Sequence, residues 1–568
     1  MQAGVDYPDW MTPESLVTLS KNYLLKDETP KQMYERVAKA SAKSLKRPKL
    51  AAKFFDIMWK GWLCPATPVL CNMGTDRGLP ISCYGLSPAD ELDSIFTKAH
   101  ESAMLTKGGG GVGVGMTGIR HRGASIKGLG EATGIVPWAK LYEVTMWGAK
   151  QGNIRKGAGS VNLSVDHPDF KEFLAIRDIK DGADPYLKTP FLNHCAVISD
   201  SFMKRVTAGE IAAKKLWREI LKVRMRKGEP YLMFEGTVNK ANPPGYTQRG
   251  FTVDMTNLCS EITLFSDKQH TFVCCLSSMN LTRWDEWKDT DAVYHATVFL
   301  DGVMQFYLDH APIWPGHACA VRFAENSRAI GLGVLGYHTL LQEKLLPFDS
   351  LGSELLNRAI FQRIEGETNR ASEDLAKELG EPEWCKGTGK RFTHKMAVAP
   401  TLSNSAIAGS DSMGIEPIQG NIYLIQQAKG SFVRKNSRFL KLLRDKGKCT
   451  AAVQKSVLEH GGSCQHLDFL SKEEKDVFKT AFEIDQRAIV KQAAARQKHI
   501  DQAQSLSFFF AEDADPKYVN DTHLLAYKLG VKCCYYVHST APVKADTASR
   551  TVMKKAESGP TDCAACEG

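Results

Sequence analysis

Long apolar runs are missing from this sequence. None approaches the length of a bilayer-spanning helix, so no association with a membrane is expected. The first residues, MQAGVDYPDWMTPE, hold no apolar stretch of the kind a secretory signal needs. Dense charge blocks are missing too. Lys and Arg number 73 against 64 Asp and Glu, and a net charge of +9 over 568 residues is too mild for a nucleic-acid tail. That balance suits a small polyphosphate ligand better than a duplex. There is no internal repeat. The glycine run GGGGVGVGMTGIR, starting at Gly108, lacks the Gly-Lys-Ser/Thr ending of a phosphate loop, and close backbone packing would account for it equally well.

What is present is length, a hydrophobic share of 43% and 15 cysteines. The length fits one large α/β domain or two to three ordinary ones. An odd number of irregularly spaced cysteines fits a reducing cytoplasm, where thiols are more often catalytic, redox-active or merely buried than bridged. Residues 12–60 read as helical, with Thr12-Pro13-Glu14-Ser15 as a helix start and a break at Pro48. Helical patterns recur at Phe202–Lys227, Ser353–Leu379 and Glu473–Gln497, with short apolar runs such as Ala329–Leu335 between them. The alternation predicts an α/β fold with a substantial parallel sheet. From Ser539 to Gly568 large apolar residues become scarce, which predicts a flexible tail.

Asn257-Leu258-Cys259-Ser260-Glu261 is the sharpest local pattern. In an extended segment alternate residues share a side, which would gather the Asn257 amide, the Cys259 thiol and the Glu261 carboxylate and turn Leu258, Ser260 and Ile262 away. That trio joins a thiol to a hydrogen-bonding amide and a potential base. A structural cysteine in a strand would look the same. Cys83 and the pair Cys274-Cys275 lie in short apolar segments. Two of these thiols would form a reversible disulfide if the fold brought their Cα atoms to about 4.4–6.8 Å. Small buried side chains are the plainer alternative. The tail ends in Cys563-Ala564-Ala565-Cys566, a spacing that favours thiolate formation and dithiol exchange. Zinc is the rival reading there, but no second CxxC or HxxxH lies nearby. Tyr535-Tyr536 reads either as strand packing or as two oxidisable phenols in a relay. In APTLSNSAIAGSDSMGIEP, residues 399–417, Thr401, Ser403, Asn404 and Ser405 precede a short helix-compatible stretch. They form either an anion site at a helix N-terminus or an ordinary capping cluster.

Taken in order, these segments resemble the large subunit of ribonucleotide reductases. The series runs from the Cys83 segment through the Gly-rich loop ending at Arg120, QGNIR, NLCSE, VCCLSSMNL, RAIGLGVLG and PTLSNS with GIEP to the tyrosine pair and the terminal cysteines. The resemblance implies a ten-stranded α/β barrel over residues 61–540 with a central finger loop carrying NLCSE. It also implies an N-terminal helical region over 1–60 and a flexible redox tail over 541–568.

The resemblance implies roles as well. Cys259 would hold a transient thiyl radical that takes hydrogen from C3′ of the substrate ribose. Glu261 would act as general base on the 3′-hydroxyl, and Asn257 would hydrogen-bond the substrate hydroxyls. Cys83 and Cys274 would supply two electrons and end as a disulfide, Cys274 being preferred to Cys275 because it fits the family's CxLSxxNL spacing. Cys563 and Cys566 would reduce that disulfide. Thr67, Ser82, Thr401, Leu402, Ser403, Asn404 and Ser405 match positions that hold the ribose and phosphates of a ribonucleoside di- or triphosphate. Asp90 and Arg120 match a specificity site for dNTP or ATP effectors. Gln151 and Arg155 match the loop that relays effector identity, and that site implies a homodimer.

Tyr535 and Tyr536 imply class I, in which a metal-containing small subunit supplies the radical and this chain holds no tightly bound cofactor or metal. The external reductant would be a dithiol protein of thioredoxin or glutaredoxin type. The phosphate loop lacks the acidic residue common in class I and reads closer to class II, so an adenosylcobalamin-dependent class II enzyme is the alternative. A non-catalytic nucleotide- or zinc-binding protein is the alternative of another kind. Only 82 residues precede Cys83, so an N-terminal ATP-cone is not expected. The expected location is the cytoplasm, of a cell or of a phage-infected host, with no nucleic-acid partner.

Overall fold

The structure of the protein, a computed structural model, describes residues 7–149, 157–178, 187–427 and 430–540. Three helices come first: Pro13–Asn22, Pro30–Ser44 and Leu50–Trp59. The first two begin alike. Thr12 and Thr29 cap with their hydroxyls, and a proline fills the first helical position, where its missing N–H costs nothing. Ser41 Oγ of the second helix donates to the Phe299 carbonyl at 3.0 Å, on the long helix Ala292–His310. The three helices therefore share one core with the rest of the chain.

Eight strands follow: β1 (Leu63–Pro65), β2 (Cys83–Leu86), β3 (Gly111–Gly115), β4 (Gly159–Ser164), β5 (Asn193–Ile198), β6 (Tyr231–Phe234), β7 (Phe272–Asn280) and β8 (Ile330–Leu335). An antiparallel hairpin, β9 (Ile422–Gln427) and β10 (Gly430–Lys435), stands apart from the main sheet. Then come β11 (Phe508–Ala511), β12 (Cys533–Cys534) and β13 (Val537–Thr540). Every residue of β2, β3, β5, β6, β7 and β8 is buried, as expected of strands covered on both faces.

The strands close into a ring of two parallel halves. The first half is β2-β3-β4-β5-β6. The second starts with β7 and β8 and continues through parallel bridges from Leu332 to Met396 and from Val398 to Gln504. Tyr535 N then donates to the Leu506 carbonyl at 2.7 Å, which brings in the segment containing β12. The continuation of that pairing, β11 with β13, is parallel. The halves meet at two antiparallel seams, β2 with β7 and β6 with β12. Ten segments thus make the barrel that the resemblance implied. The 396–398 and 504–506 segments contribute only isolated bridges, so the second half is the less regular.

Two expected helices are interrupted. Phe202–Lys227 is two helices, Asp200–Ala208 and Ile211–Lys227, separated by Gly209 at φ 92°. Glycine reaches that conformation without strain, and the apolar period resumes beyond it. Glu473–Gln497 is also two, Lys472–Val477 and Gln486–Gln497. No glycine or proline marks this break. The second helix starts because the Asp485 side chain accepts from Arg487 N at 2.9 Å.

Candidate active site

The finger loop, residues 253–264, crosses the inside of the ring and bonds to both halves. On one side the Asn162 amide of β4 donates to the Thr256 carbonyl at 3.2 Å. There Gly113 of β3 lets the loop approach, since a β-carbon at Gly113 would lie 2.4 Å from that same carbonyl. On the other side Ala503 N donates to the Glu261 carbonyl at 2.9 Å, and Ser505 Oγ donates to the Cys259 carbonyl at 2.6 Å.

The tip is a turn, not the extended segment expected from the alternation. Ser260 has φ 65°, Asn257 N donates to the Ile262 carbonyl at 3.2 Å, and Ile262 N donates to Asn257 Oδ1 at 3.0 Å. Leu258, Ser260 and Ile262 are all buried. The chain must reverse to return Glu261 to Ala503, and a residue in the left-handed region supplies the reversal. Alternation of polar and apolar residues cannot distinguish such a turn from a strand.

The turn still brings two of the expected groups, the Asn257 amide and the Glu261 carboxyl, together at Cys83. Asn257 Nδ2 donates to Cys83 Sγ at 3.2 Å, and the Cys83 thiol faces Glu261 Oε1 at 3.8 Å. Ser505 Oγ lies 3.3 Å from Glu261 Oε2, so it ties that carboxyl to the Cys259 carbonyl. Cys274 is the direct cross-strand partner of Cys83 on the β2–β7 seam. Opposed residues of antiparallel strands have Cα atoms about 4.5–5.5 Å apart, inside the range a disulfide spans. Gln502 Nε2 lies 3.8 Å from Cys274 Sγ while donating to the Ile330 carbonyl at 2.9 Å. Cys275 points elsewhere, its thiol facing the Leu300 carbonyl.

Burial sets the electrostatics. Glu261 is 1% exposed, and loss of water pushes its carboxyl up to about 7, against the lowering effect of hydrogen bonds from Asn257, Ser505 and Cys83. The Cys274 thiol is raised well above its usual value, first by burial and then by Cys275. The Cys274 thiol is thus held as a neutral S–H group, and Glu261 nearby is a carboxyl shifted up to about 7.

Tyr535 and Tyr536 follow β12 with ring centroids 4.3 Å apart. Tyr535 is one step of the ladder from the finger loop. Its N–H bonds Leu506, and the neighbouring Ser505 bonds Cys259. The Tyr536 hydroxyl accepts from Asn193 Nδ2 at 3.2 Å.

The 399–417 loop continues directly from the 396–398 segment, where Val398 N bonds Ala503. Contrary to expectation, Ser403, Asn404 and Ser405 do not precede the helix but lie inside it, over Leu402–Ile407. Thr401 sits before it at φ 59°, its hydroxyl accepting from Gly414 N at 2.8 Å and 3.0 Å from Ser405 Oγ. That bond turns the Thr401 side chain away from capping. Thr67 pairs with the Tyr23 hydroxyl at 2.8 Å, and the Cys64 thiol near it faces the Asn404 carbonyl at 3.5 Å. Asn404 Oδ1 and Ser82 Oγ are buried without a hydrogen-bond partner among the described residues. Asp90 and Arg120 form a pair at 2.7 Å, each about one-third exposed. Gln151, Arg155, Cys563 and Cys566 lie outside the described residues.

Comparison with known proteins decides the family. The profile described as ribonucleotide reductase, barrel domain matches residues 81–212, 207–388 and 383–537, and the all-alpha domain profile matches 10–78. The chain belongs to the ribonucleotide reductase family. It is 32% identical over 627 residues to the ribonucleoside-diphosphate reductase large subunit of Invertebrate iridescent virus 3, covering 97% of this chain and 98% of the relative. A Frog virus 3 (isolate Goorha) protein that bears the same name in provisional form is 37% identical, covering 92% and 93%. The solved Actinobacillus ureae class Id ribonucleotide reductase alpha subunit superposes with a TM-score of 0.87 at 36% identity, over 94% of this chain and 98% of that one. This reductase is therefore a class I large, catalytic subunit and an oxidoreductase of deoxyribonucleotide synthesis; the class II alternative is not favoured.

Several residues around the reductase's site carried no signal in the sequence. Ser505 and Gln502 touch the finger loop and the Cys274 thiol from hundreds of residues away. Asn193 reaches Tyr536 from β5, and Arg224 Nη2 donates to the Tyr535 carbonyl at 3.1 Å. Isolated Ser, Gln, Asn or Arg in an amphipathic stretch has no spacing to give it away.

Proposed function

We propose that this subunit reduces ribonucleoside diphosphates to 2′-deoxyribonucleoside diphosphates, with Cys259 as the thiyl-radical carrier. The observation that carries the reading is the convergence on Cys83 of Asn257, Glu261 and its cross-strand partner Cys274. The diphosphate follows the names of the two viral relatives. In this reading the Cys259 thiyl takes hydrogen from C3′ and becomes S–H. Glu261 takes the 3′-hydroxyl proton, which a carboxyl titrating near 7 accepts at physiological pH. The 2′-hydroxyl leaves as water with a proton from one of the paired thiols. Cys83 and Cys274 give up two electrons and join as a disulfide, the second thiol hydrogen forming the new C2′–H bond, while Glu261 returns its proton to the 3′-oxygen and Cys259 its hydrogen atom to C3′. Asn257 orients the substrate hydroxyls, and Ser82, Thr67 and residues 401–405 (Thr401, Leu402, Ser403, Asn404, Ser405) hold ribose and phosphates. The orphaned Ser82 Oγ and Asn404 Oδ1 suit that role.

Tyr535 and Tyr536 carry the radical from a separate metal-containing small subunit. Cys563 and Cys566 pass electrons from a thioredoxin- or glutaredoxin-type dithiol to the Cys83–Cys274 disulfide. Asp90, Arg120, Gln151 and Arg155 form the effector site of a homodimer. Exposed Leu92 and Phe96 on the helix Leu92–Lys107, and Val144 and Trp147 on the helix Ile135–Gly148 packed against it, would be covered in that dimer. Among the described residues no helix is long and apolar enough to cross a membrane, and the cytoplasm is the proposed location.

The test is deoxynucleotide formation with a dithiol reductant, comparing added small subunit with added adenosylcobalamin and CDP with CTP. Product from CDP only with the small subunit is expected. Product with adenosylcobalamin alone would overturn the radical source, and a preference for CTP would overturn the diphosphate.

A further inference from the structure

The tyrosine pair has a third member. Tyr231 opens β6, is fully buried, and lies against both other rings. Its centroid is 4.7 Å from that of Tyr535 and 5.0 Å from that of Tyr536, while the pair themselves are 4.3 Å apart. The three phenols form a triangle in which no ring is screened from another. Tyr231 also sits on the inner route, because its register partner on β5 is Cys195, whose thiol faces Thr256 Oγ1 of the finger loop at 3.9 Å.

The surroundings treat the three phenols differently. Tyr536 receives a hydrogen bond from Asn193 Nδ2, and the same amide donates to Glu229 Oε1 at 3.1 Å. Glu229 is buried, its charge balanced by Arg177, and it is bonded at 2.9 Å by His194 Nδ1, an imidazole that burial keeps neutral, so the outer phenol is clamped from a closed, charge-balanced network. Tyr535 and Tyr231 lie instead beside Arg224. That guanidinium is fully buried. It donates to the carbonyls of Tyr535 and Pro230 and to His523 Nε2, and it has no carboxylate partner among the described residues. A buried unpaired cation makes a phenol radical cation costly. Loss of the electron ahead of the proton is therefore disfavoured at these two rings, and oxidation must be accompanied by loss of the phenolic proton.

We infer that Tyr231 is a redox-active member of the radical relay, exchanging the oxidised state with Tyr535 and Tyr536. The inference rests on the reading of that pair as radical carriers. The step is balanced without any further oxidant: the Tyr535 phenoxyl gains an electron and a proton, its O–H bond forms, the Tyr231 O–H bond breaks, and Tyr231 becomes the phenoxyl. Simple ring packing would be served equally well by phenylalanine, which makes the hydroxyl the discriminating atom.

The experiment places 3-aminotyrosine, a more easily oxidised phenol, at position 231 of the full chain. The variant is mixed with its radical-loaded small subunit, CDP and ATP, and followed by electron paramagnetic resonance. An aminotyrosyl signal growing as the small-subunit radical decays is expected, and Tyr536→Phe in the same chain should abolish it. In parallel, Tyr231→Phe should lower turnover at least about tenfold with unchanged circular dichroism. Two results overturn the inference while leaving the pair's role intact: no signal from position 231 when 3-aminotyrosine at 535 does trap the radical, or full turnover in Tyr231→Phe. Absence of a trapped radical at both 231 and 535 would overturn the inference together with the reading of the pair.

Discussion

Two carboxylates reached from the same strand show opposite solutions to holding a charge. Cys83 begins β2 and faces Glu261; Asp90 stands just beyond the end of β2 and faces Arg120. Asp90 has a guanidinium at 2.7 Å, a second bond from the Arg120 backbone at 3.1 Å, and about one-third of its surface in water. Glu261 has no cation partner among the described residues and is 1% exposed. Its partners are an amide, a hydroxyl and a thiol, all neutral. The exposed pair is a fixed ion pair suited to binding and register. The buried carboxyl is left near the midpoint of its titration, where it can take a proton and give it back.

The largest effect should come from deleting the sulfur that this buried region serves. Cys259→Ala is expected to lower deoxynucleotide formation by more than about 10⁴-fold with the fold intact, because no neighbouring group replaces a thiyl radical. Measurable turnover by that variant would mean that the finger loop is not the reacting element. Next comes Glu261→Gln, which keeps the shape and removes the base. An assay of kcat/KM should show a loss of about 10²–10⁴-fold. In the unsubstituted enzyme kcat/KM should rise as pH passes through about 7, and this limb should vanish in the variant.

The stability effect of Glu261→Gln has a definite sign. A carboxyl raised from 4.5 to about 7 favours folding fully below 4.5 and loses that contribution as pH rises through 7. Urea denaturation should therefore find the glutamine variant more stable than the parent at pH 8 and closer to it at pH 5, the difference being at most roughly 3 kcal/mol. A smaller effect still is expected from the seam. Without external reductant the parent should lose about two titratable thiols per product, and Cys83→Ser should lose none. An unchanged thiol count in that variant would shift the redox couple to other cysteines.

How far the sequence reveals this depends on whether a contact is local. NLCSE is visible because its five residues are contiguous, and Asn257 and Glu261 do reach the site. The turn at Ser260 is hidden, because a serine forced to φ 65° leaves no mark in polar–apolar alternation. The barrel is visible in part as short apolar runs, β8 as Ala329–Leu335 and β2 and β7 around Cys83 and Cys274. Its closing segments, 396–398 and 504–506, are not, since each is held by isolated bridges and side chains rather than a regular ladder. Tyr535 and Tyr536 are adjacent and so invite attention, whereas Tyr231 reaches them from 304 and 305 positions earlier. Only the fold brings it there.

The exposed carboxylate gives the smallest effect on stability and the sharpest contrast. Asp90→Asn keeps the hydrogen-bonding shape toward the Arg120 backbone while removing the charge opposite its guanidinium. Because both side chains are about one-third exposed, water replaces what is lost, and urea denaturation should register less than about 1 kcal/mol, shrinking further in added salt. Effector response is a different quantity. If this pair shapes a nucleotide site, the change in substrate preference produced by a saturating dNTP should fall by about fivefold or more, since coupling between sites is commonly worth that much. A large loss of stability with effector response preserved would reverse the comparison. It would make Asp90 and Arg120 a structural clamp and leave Glu261 as the only one of the two carboxylates tied to chemistry.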